Sequence, residues 1–180
     1  MSSWQTRSST TVYENAWIRV REDVVVRPDG GEGVYGVVEV RHPAVFVVPV
    51  TDSGEVVLVE VDRYPTGRVS LEVPAGGSDG QDLLVAARRE LAEETGLVAD
   101  RWQELGEVFS LNGLCDAPGH VFLATGLRAG EATGQTEEGI VATRRVPWGD
   151  ALRLVADGTI TDAESAAALL RAAVALDRVR

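Results

Sequence analysis

Between Thr10 and Pro74 the apolar residues come in short runs, many alternating with polar positions, and each run is cut by a turn signal. The breaks are Pro28-Asp29-Gly30-Gly31, Arg41-His42-Pro43, Asp52-Ser53-Gly54 and Pro65-Thr66-Gly67, so this stretch predicts strands joined by tight connections. From Gln81 to Thr95 the period changes. Leu84, Ala87, Leu91 and Thr95 recur at helical spacing and Gly96 supplies a stop, which predicts one amphipathic helix. Trp102 to Phe109, His120 to Thr125 and Ile140 to Val146 predict further strands, with a Gly/Thr/Glu-rich loop over Leu127 to Gly139 between the last two. A helical segment over Asp150 to Ala156 precedes a longer helix over Asp162 to Val179. Residues 1–9 are polar and serine-rich and are expected to be a flexible N-terminus, with order beginning near Thr10. Strands, helix, strands, helix read as an α+β sandwich, a single domain over 10–180, without a repeat or composition break to mark a second.

Composition narrows the function classes. A chain of 180 residues with 44% hydrophobic and 25% charged content can bury a core without covalent staples. Its one cysteine, Cys115, excludes an internal disulfide and a cysteine-rich zinc site, and agrees with a reducing compartment. The N-terminal region lacks a run long enough for a signal peptide or membrane span, so a soluble, unprocessed, cytoplasmic protein is expected. The formal charge of −11 argues against nucleic acid or an anionic membrane as partner. Were so acidic a protein to handle phosphates, a cation would have to stand between the like charges.

The chemistry concentrates in Pro74-Ala75-Gly76-Gly77-Ser78-Asp79-Gly80-Gln81 and Arg88-Arg89-Glu90-Leu91-Ala92-Glu93-Glu94-Thr95-Gly96-Leu97. On a helix Glu90, Glu93 and Glu94 stand at i, i+3 and i+4, so the three carboxylates share one face while Leu84, Ala87 and Leu91 occupy another. Such like-charged pairs oppose each other by roughly 0.2–0.5 kcal/mol each on an exposed helix, and a divalent cation reverses that sign. Magnesium prefers hard oxygen ligands and keeps several waters, so clustered carboxylates beside an open cleft suit it; manganese is the alternative. The glycines ahead of the helix let the loop fold tightly and let a backbone carbonyl such as that of Ala75 approach a metal.

This stretch resembles the Nudix box, the signature Gly, five residues, Glu, seven residues, Arg-Glu-aliphatic, any, Glu-Glu, any, Gly-aliphatic. Arg89, Glu90, Leu91, Glu93, Glu94, Gly96 and Leu97 match its second half in register. The first half departs from it: Gln81 stands where the family has Glu, and the loop from Gly76 to Gln81 is one residue short. Gln81 is expected to keep a hydrogen bond to Arg89 but not an ion pair. The resemblance implies a Nudix-type α/β/α sandwich with a mixed sheet. It further implies metals held by Glu90, Glu93, Glu94 and the Ala75 carbonyl, carboxylates braced by Arg89, and substrate contact at Gly76. A metal-bridged water would attack phosphorus while the cations neutralise charge on the transition-state oxygens.

Tyr13-Glu14-Asn15-Ala16-Trp17-Ile18-Arg19-Val20 and Tyr35-Gly36-Val37-Val38 resemble the N-terminal antiparallel sheet of the ADP-ribose pyrophosphatase branch. On that likeness the sheet covers about 10–41, the catalytic core about 42–180, and the protein is a homodimer acting on a nucleoside diphosphate derivative, ADP-ribose or another nucleotide sugar. Arg63 resembles the branch's strand-end arginine that contacts substrate, and Glu72 is a candidate to face the nucleotide. Where the branch often carries a glutamate base, the loop over Gly134 to Gly139 offers Glu138 first and Glu137 second; a placed general base contributes about 10²–10⁴ in rate. Asp116 reads as a turn residue with participation in the reaction as its alternative, and Cys115 as a small filler. Asn112-Gly113 stands near where many ADP-ribose enzymes carry a proline, which leaves a different nucleotide sugar or a dinucleotide open. A catalytically weak, nucleotide-binding sensor is the competing class.

Overall fold

The computed structural model describes residues 3–130 and 139–178. In chain order the elements are β1 (Gln5–Glu14), β2 (Ile18–Val26), β3 (Glu32–Val40), β4 (Ala44–Val50), β5 (Glu55–Arg63), β6 (Arg68–Glu72), β7 (Ala75–Gly77), α1 (Leu83–Thr95), β8 (Leu97–Phe109), β9 (Cys115–Asp116), β10 (Pro118–Ala129), β11 (Ile140–Pro147), α2 (Trp148–Ala156) and α3 (Ala163–Ala175). They form two compact units: Met1–Pro43 with Phe109–Pro118, and Ala44–Val108 with Gly119–Arg180.

In the first unit β1, β2 and β3 are antiparallel, and β9 adds to β3 in parallel, pairing Val38 with Cys115 and Glu39 with Asp116. β1 starts at Gln5, five positions ahead of the start near Thr10 that the hydrophobic pattern predicts. All ten of its residues are exposed, so no alternation of apolar and polar positions marks it; its Thr and Val residues suit an extended backbone that pairs with β2. The β1–β2 connection is an Asx turn in which Asn15 Oδ1 accepts from the Trp17 and Ile18 amides, each at 2.8 Å. Pro28 to Gly31 turns as predicted, with the Arg27 amide donating to the Gly31 carbonyl at 2.8 Å. Across β2 and β3, Arg19 and Arg21 both engage Glu39, and Arg21 also pairs with Asp23. The Arg19 hydrogen bond, with the charge of both arginines, holds the Glu39 carboxyl below the usual range.

The second unit is a seven-stranded mixed sheet ordered β11-β5-β4-β10-β8, with β6 on β5 and β7 on β4. β4 and β10 run parallel, from Ala44 opposite Gly119 to Val50 opposite Thr125. Both are buried on their two faces, and the strand period of two divides their side chains. Val45, Val47, Phe122 and Ala124 pack against Ala86, Ala87 and Leu91 of α1. Val48, Val50, Val121 and Leu123 pack with Ala151 of α2 and Ala168, Leu169 and Ala172 of α3. Helices therefore cover both faces, and this unit is the α/β/α sandwich expected. Among the described residues no helix is long and apolar enough to cross a membrane.

The caps set where each functional segment begins. α1 starts at Leu83, not Gln81, because Asp82 is its N-cap: Oδ1 accepts from Leu84 and Val85 amides at 3.0 and 3.2 Å. Gly96, left-handed at φ 67°, closes it. α3 is capped by Asp162, which accepts from the Ser165 amide at 2.7 Å, and it stops at Ala175 before left-handed Asp177, short of the expected Val179. Ser165 Oγ in turn accepts from the buried Val73 amide at 3.0 Å, which ties α3 to the chain entering the Pro74–Gly77 loop. Replacing Asp82 by Ala should lower unfolding free energy by about 1 kcal/mol, read as a shifted urea midpoint with an unchanged slope.

Candidate active site

The site is built where α1 meets the loop that precedes it. The loop is fixed to β4 first: the Val47 amide donates to the Pro74 carbonyl at 2.8 Å, and Ala75, Gly76 and Gly77 pair with Phe46, Val45 and Ala44. It is also fixed to the helix, because the Ala75 amide donates to Glu94 Oε2 at 3.0 Å. A Cβ at Gly76 would collide with the Glu90 carboxylate, so only glycine lets this backbone lie against that side chain. The acidic face of α1 is consequently not a solvated face. Glu90 and Glu94 are as deeply buried as the core around them, at 2% and 3% exposure, while Glu93 remains half-buried.

Arg89 gathers these groups. Its Nη2 lies 2.8 Å from Glu90 Oε1 and donates to the Gly77 carbonyl at 2.7 Å, its Nη1 donates to Glu93 Oε2 at 2.8 Å, and its Nε donates to Gln81 Oε1 at 3.3 Å. Burial disfavours the guanidinium charge, but Glu90, Glu93 and Asp79 outweigh it and raise Arg89 above its ordinary value. Gln81 thus keeps the expected hydrogen bond. The ion pair that glutamine cannot supply comes from Asp79, 3.4 Å from Nη2, a residue that motif matching passes over. Asp79 and Gly80 have φ of 51° and 78°, and the Gln81 amide donates to the Ser78 carbonyl at 2.9 Å. This left-handed turn closes the loop with one residue fewer; Asp beside Gly, a pair suited to such a turn, was its sequence signal.

A hard divalent cation fits the chemistry of the donor set, since three carboxylates on successive turns and a backbone held open by Gly76 offer only oxygen. Glu90, Glu93 and Glu94 are the side chains that could hold it. As the side chains stand, no three acidic, histidine or cysteine groups among the described residues converge on one point. Helical spacing brings their Cβ atoms together, but Arg89 turns Glu90 and Glu93 toward itself and the Ala75 amide holds Glu94.

Glu72, expected to face a nucleotide, is buried at 5% exposure, and both its oxygens are engaged by Arg63, which donates from Nε at 3.0 Å and from Nη2 at 2.6 Å. The Glu72 hydrogen bonds, opposed by burial and reinforced by Glu94 and Asp162, raise Arg63 above its ordinary value. Arg63, Arg68, Ser70, Glu72, Thr161 and Asp162 line a cavity of about 500 Å³. Burial raises the Asp162 carboxyl there, against the hydrogen bonds from Ser165. Asp116 and Cys115, read as turn and filler, lie on β9 of the N-terminal unit. Glu137 and Glu138 lie outside the described residues.

Comparison with known proteins accords with this geometry. Residues 4–38 match a family described as the nucleoside diphosphate sugar hydrolase N-terminal domain, and residues 40–171 match the NUDIX domain. An ADP-ribose pyrophosphatase of Mycobacterium tuberculosis is 36% identical over 170 residues, 93% of this chain and 82% of the relative. One from Bacillus subtilis is 37% identical over 133 residues, 72% of each chain. The solved structure of an ADP compounds hydrolase superposes with a TM-score of 0.86 at 22% identity, covering 99% of this chain and 98% of the other, a likeness of fold. With the box arginine binding its carboxylates on a capped helix inside an α/β/α sandwich, and a family model spanning most of the chain, this protein belongs to the Nudix hydrolases.

Proposed function

We propose that the chain hydrolyses the pyrophosphate bond of ADP-ribose or a closely related nucleoside diphosphate sugar, with magnesium as its metal. The observation that carries this reading is the Arg89 assembly: Glu90 and Glu93 held by one guanidinium, Glu94 held against the Ala75 amide, and Gly76 kept bare above Glu90. The substrate class is supported by two relatives named for ADP-ribose that extend across most of the chain.

Glu90, Glu93 and Glu94, joined by the Ala75 carbonyl, would hold the metal. When bound, it supplies charge neutralisation to the pyrophosphate oxygens and acidifies water. Arg89 orders the carboxylates so that their mutual repulsion does not scatter them. Arg63 would bind a phosphate oxygen: Glu72 takes its Nε and Nη2, leaving Nη1 to donate from a guanidinium already oriented. Gly76 would admit substrate close to the backbone. Glu138, with Glu137 second, is the proposed base on the attacking water.

The protein is further proposed to be cytoplasmic and a homodimer through its N-terminal sheet. β1 exposes every residue, and Val12, Tyr13 and Trp17 are exposed at 60%, 55% and 73%, which is apolar surface that a second copy would cover. Sedimentation of the full chain at micromolar concentration tests this; a monomer overturns it.

Phosphatase-coupled phosphate release, measured across a panel of nucleoside diphosphate sugars and dinucleotides with magnesium, should find turnover with ADP-ribose among the best substrates. Binding without turnover on the whole panel would favour the sensor reading. Glu93→Gln should cost about 10²-fold or more in kcat with an unchanged circular dichroism spectrum; full activity would remove Glu93 from the metal site. Because Asp79 supplies the ion pair to Arg89, Gln81→Glu should leave kcat/KM within about threefold, whereas Asp79→Ala should lower it about tenfold, the scale of a supporting contact to a metal ligand. The opposite ranking would show that the shortened loop is a defect.

A further inference from the structure

We propose that the N-terminal unit carries a pocket for a small primary ammonium compound, built on the buried Asp23 carboxylate. β1, β2, β3 and residues 112–116 enclose a cavity of about 270 Å³ in this unit. Trp4 and Tyr35 form one wall, edge to face with centroids 5.4 Å apart at 89°. The Tyr35 hydroxyl donates to the Gly113 carbonyl at 2.6 Å, so that ring is held in place. Val25 and Val37 line the apolar part, and Asp23 and Asp116 the polar part.

Asp23 is 3% exposed. One of its oxygens takes Arg21; the other, Oδ1, is buried and has no hydrogen-bond partner among the described residues. A buried carboxylate oxygen is costly unless something donates to it, so the arrangement points to a donor that the described residues do not provide. The charges around it are unbalanced in the same sense. Arg19 and Arg21 face Asp23, Glu39 and Asp116, two cations against three anions; Arg41 pairs with Glu14. Glu39 takes both Arg19 and Arg21, and Asp116 makes no ion pair among the described residues.

A monocation restores neutrality, and the walls select its kind. Aromatic faces attract a cation through their quadrupole, and valine side chains favour an alkyl tail. The space exceeds what a bare metal ion would fill, and carboxylates with aromatics are not an octahedral oxygen set. An alkylammonium satisfies all of these conditions: N–H donors for Asp23 Oδ1, charge for Asp116, a carbon tail against Val25 and Val37. This inference is independent of the hydrolase reaction.

Calorimetric titration of the full chain with n-butylammonium chloride at constant ionic strength tests the pocket, with n-butanol as neutral isostere and adenosine as neutral aromatic. The expected result is saturable one-to-one binding of the ammonium and none of butanol. Asp23→Asn should weaken binding at least about tenfold, the scale of one charge-assisted hydrogen bond. Trp4→Leu, at the exposed wall, should weaken it several-fold and abolish any accompanying tryptophan fluorescence change. Equal binding of butanol, an unchanged affinity in Asp23→Asn, or saturation by adenosine alone overturns the proposal, as does the absence of saturable ammonium binding. If Asp23→Asn does not fold, Trp4→Leu and the butanol comparison decide it: weaker ammonium binding in Trp4→Leu with no binding of butanol supports the pocket, and an unchanged affinity in Trp4→Leu or equal binding of butanol rejects it.

Discussion

Three glutamates within two turns of α1 repel one another, and two of them are buried where water cannot screen that repulsion. The structure around them depends on a single opposing charge. Arg89 reaches Glu90, Glu93, Asp79, the Gln81 amide and the Gly77 carbonyl with one rigid guanidinium. Because its donors are fixed in a plane, holding them also fixes the loop that crosses the helix N-terminus. Without it Glu90 and Glu93 would lose the partner that orients them, while Glu94 would keep the Ala75 amide and Gly76 its pairing with β4.

The same device recurs at lower density elsewhere in the chain. Glu72, buried at the end of β6, holds Arg63 with both oxygens and leaves one nitrogen of the fork to the cavity beside it. In the N-terminal sheet, Glu39 holds Arg19 and Arg21 across two strands. In each case an acidic side chain with low exposure orients a cation, so part of the excess of acids over bases is structural. The charge of −11 is therefore only partly a statement about ligands.

Packing supplies the platform on which that electrostatics works. β4 and β10 lie side by side in parallel, buried on both faces, and hand alternate side chains to α1 and to α2 with α3. The Pro74–Gly77 loop is stitched to this platform through Val47, and the adjoining Val73 to α3 through Ser165. Any shift of α1 against the sheet would have to break contacts on the helix side and backbone hydrogen bonds on the loop side together. Positioning of the carboxylates is thus inherited from the least deformable part of the fold.

The sequence by itself determined the helix that bears Glu90, Glu93 and Glu94, its Gly96 stop, the turns at Pro28–Gly31 and Asp52–Gly54, and the sandwich class. These follow from local chemistry: periodicity, capping and the φ values that glycine and proline allow. It also carried the box, whose second half matches residue for residue. It did not determine β1, because a strand exposed on both faces has no hydrophobic period to read. Nor did it reveal that Glu72 anchors Arg63 or that Asp79 stands in for the missing box carboxylate. Those are pairings between side chains 9 and 10 positions apart in the chain, brought together by a hairpin and a left-handed turn. Which donor a buried carboxylate finds depends on how backbones cross, and that is decided only when the chain has folded.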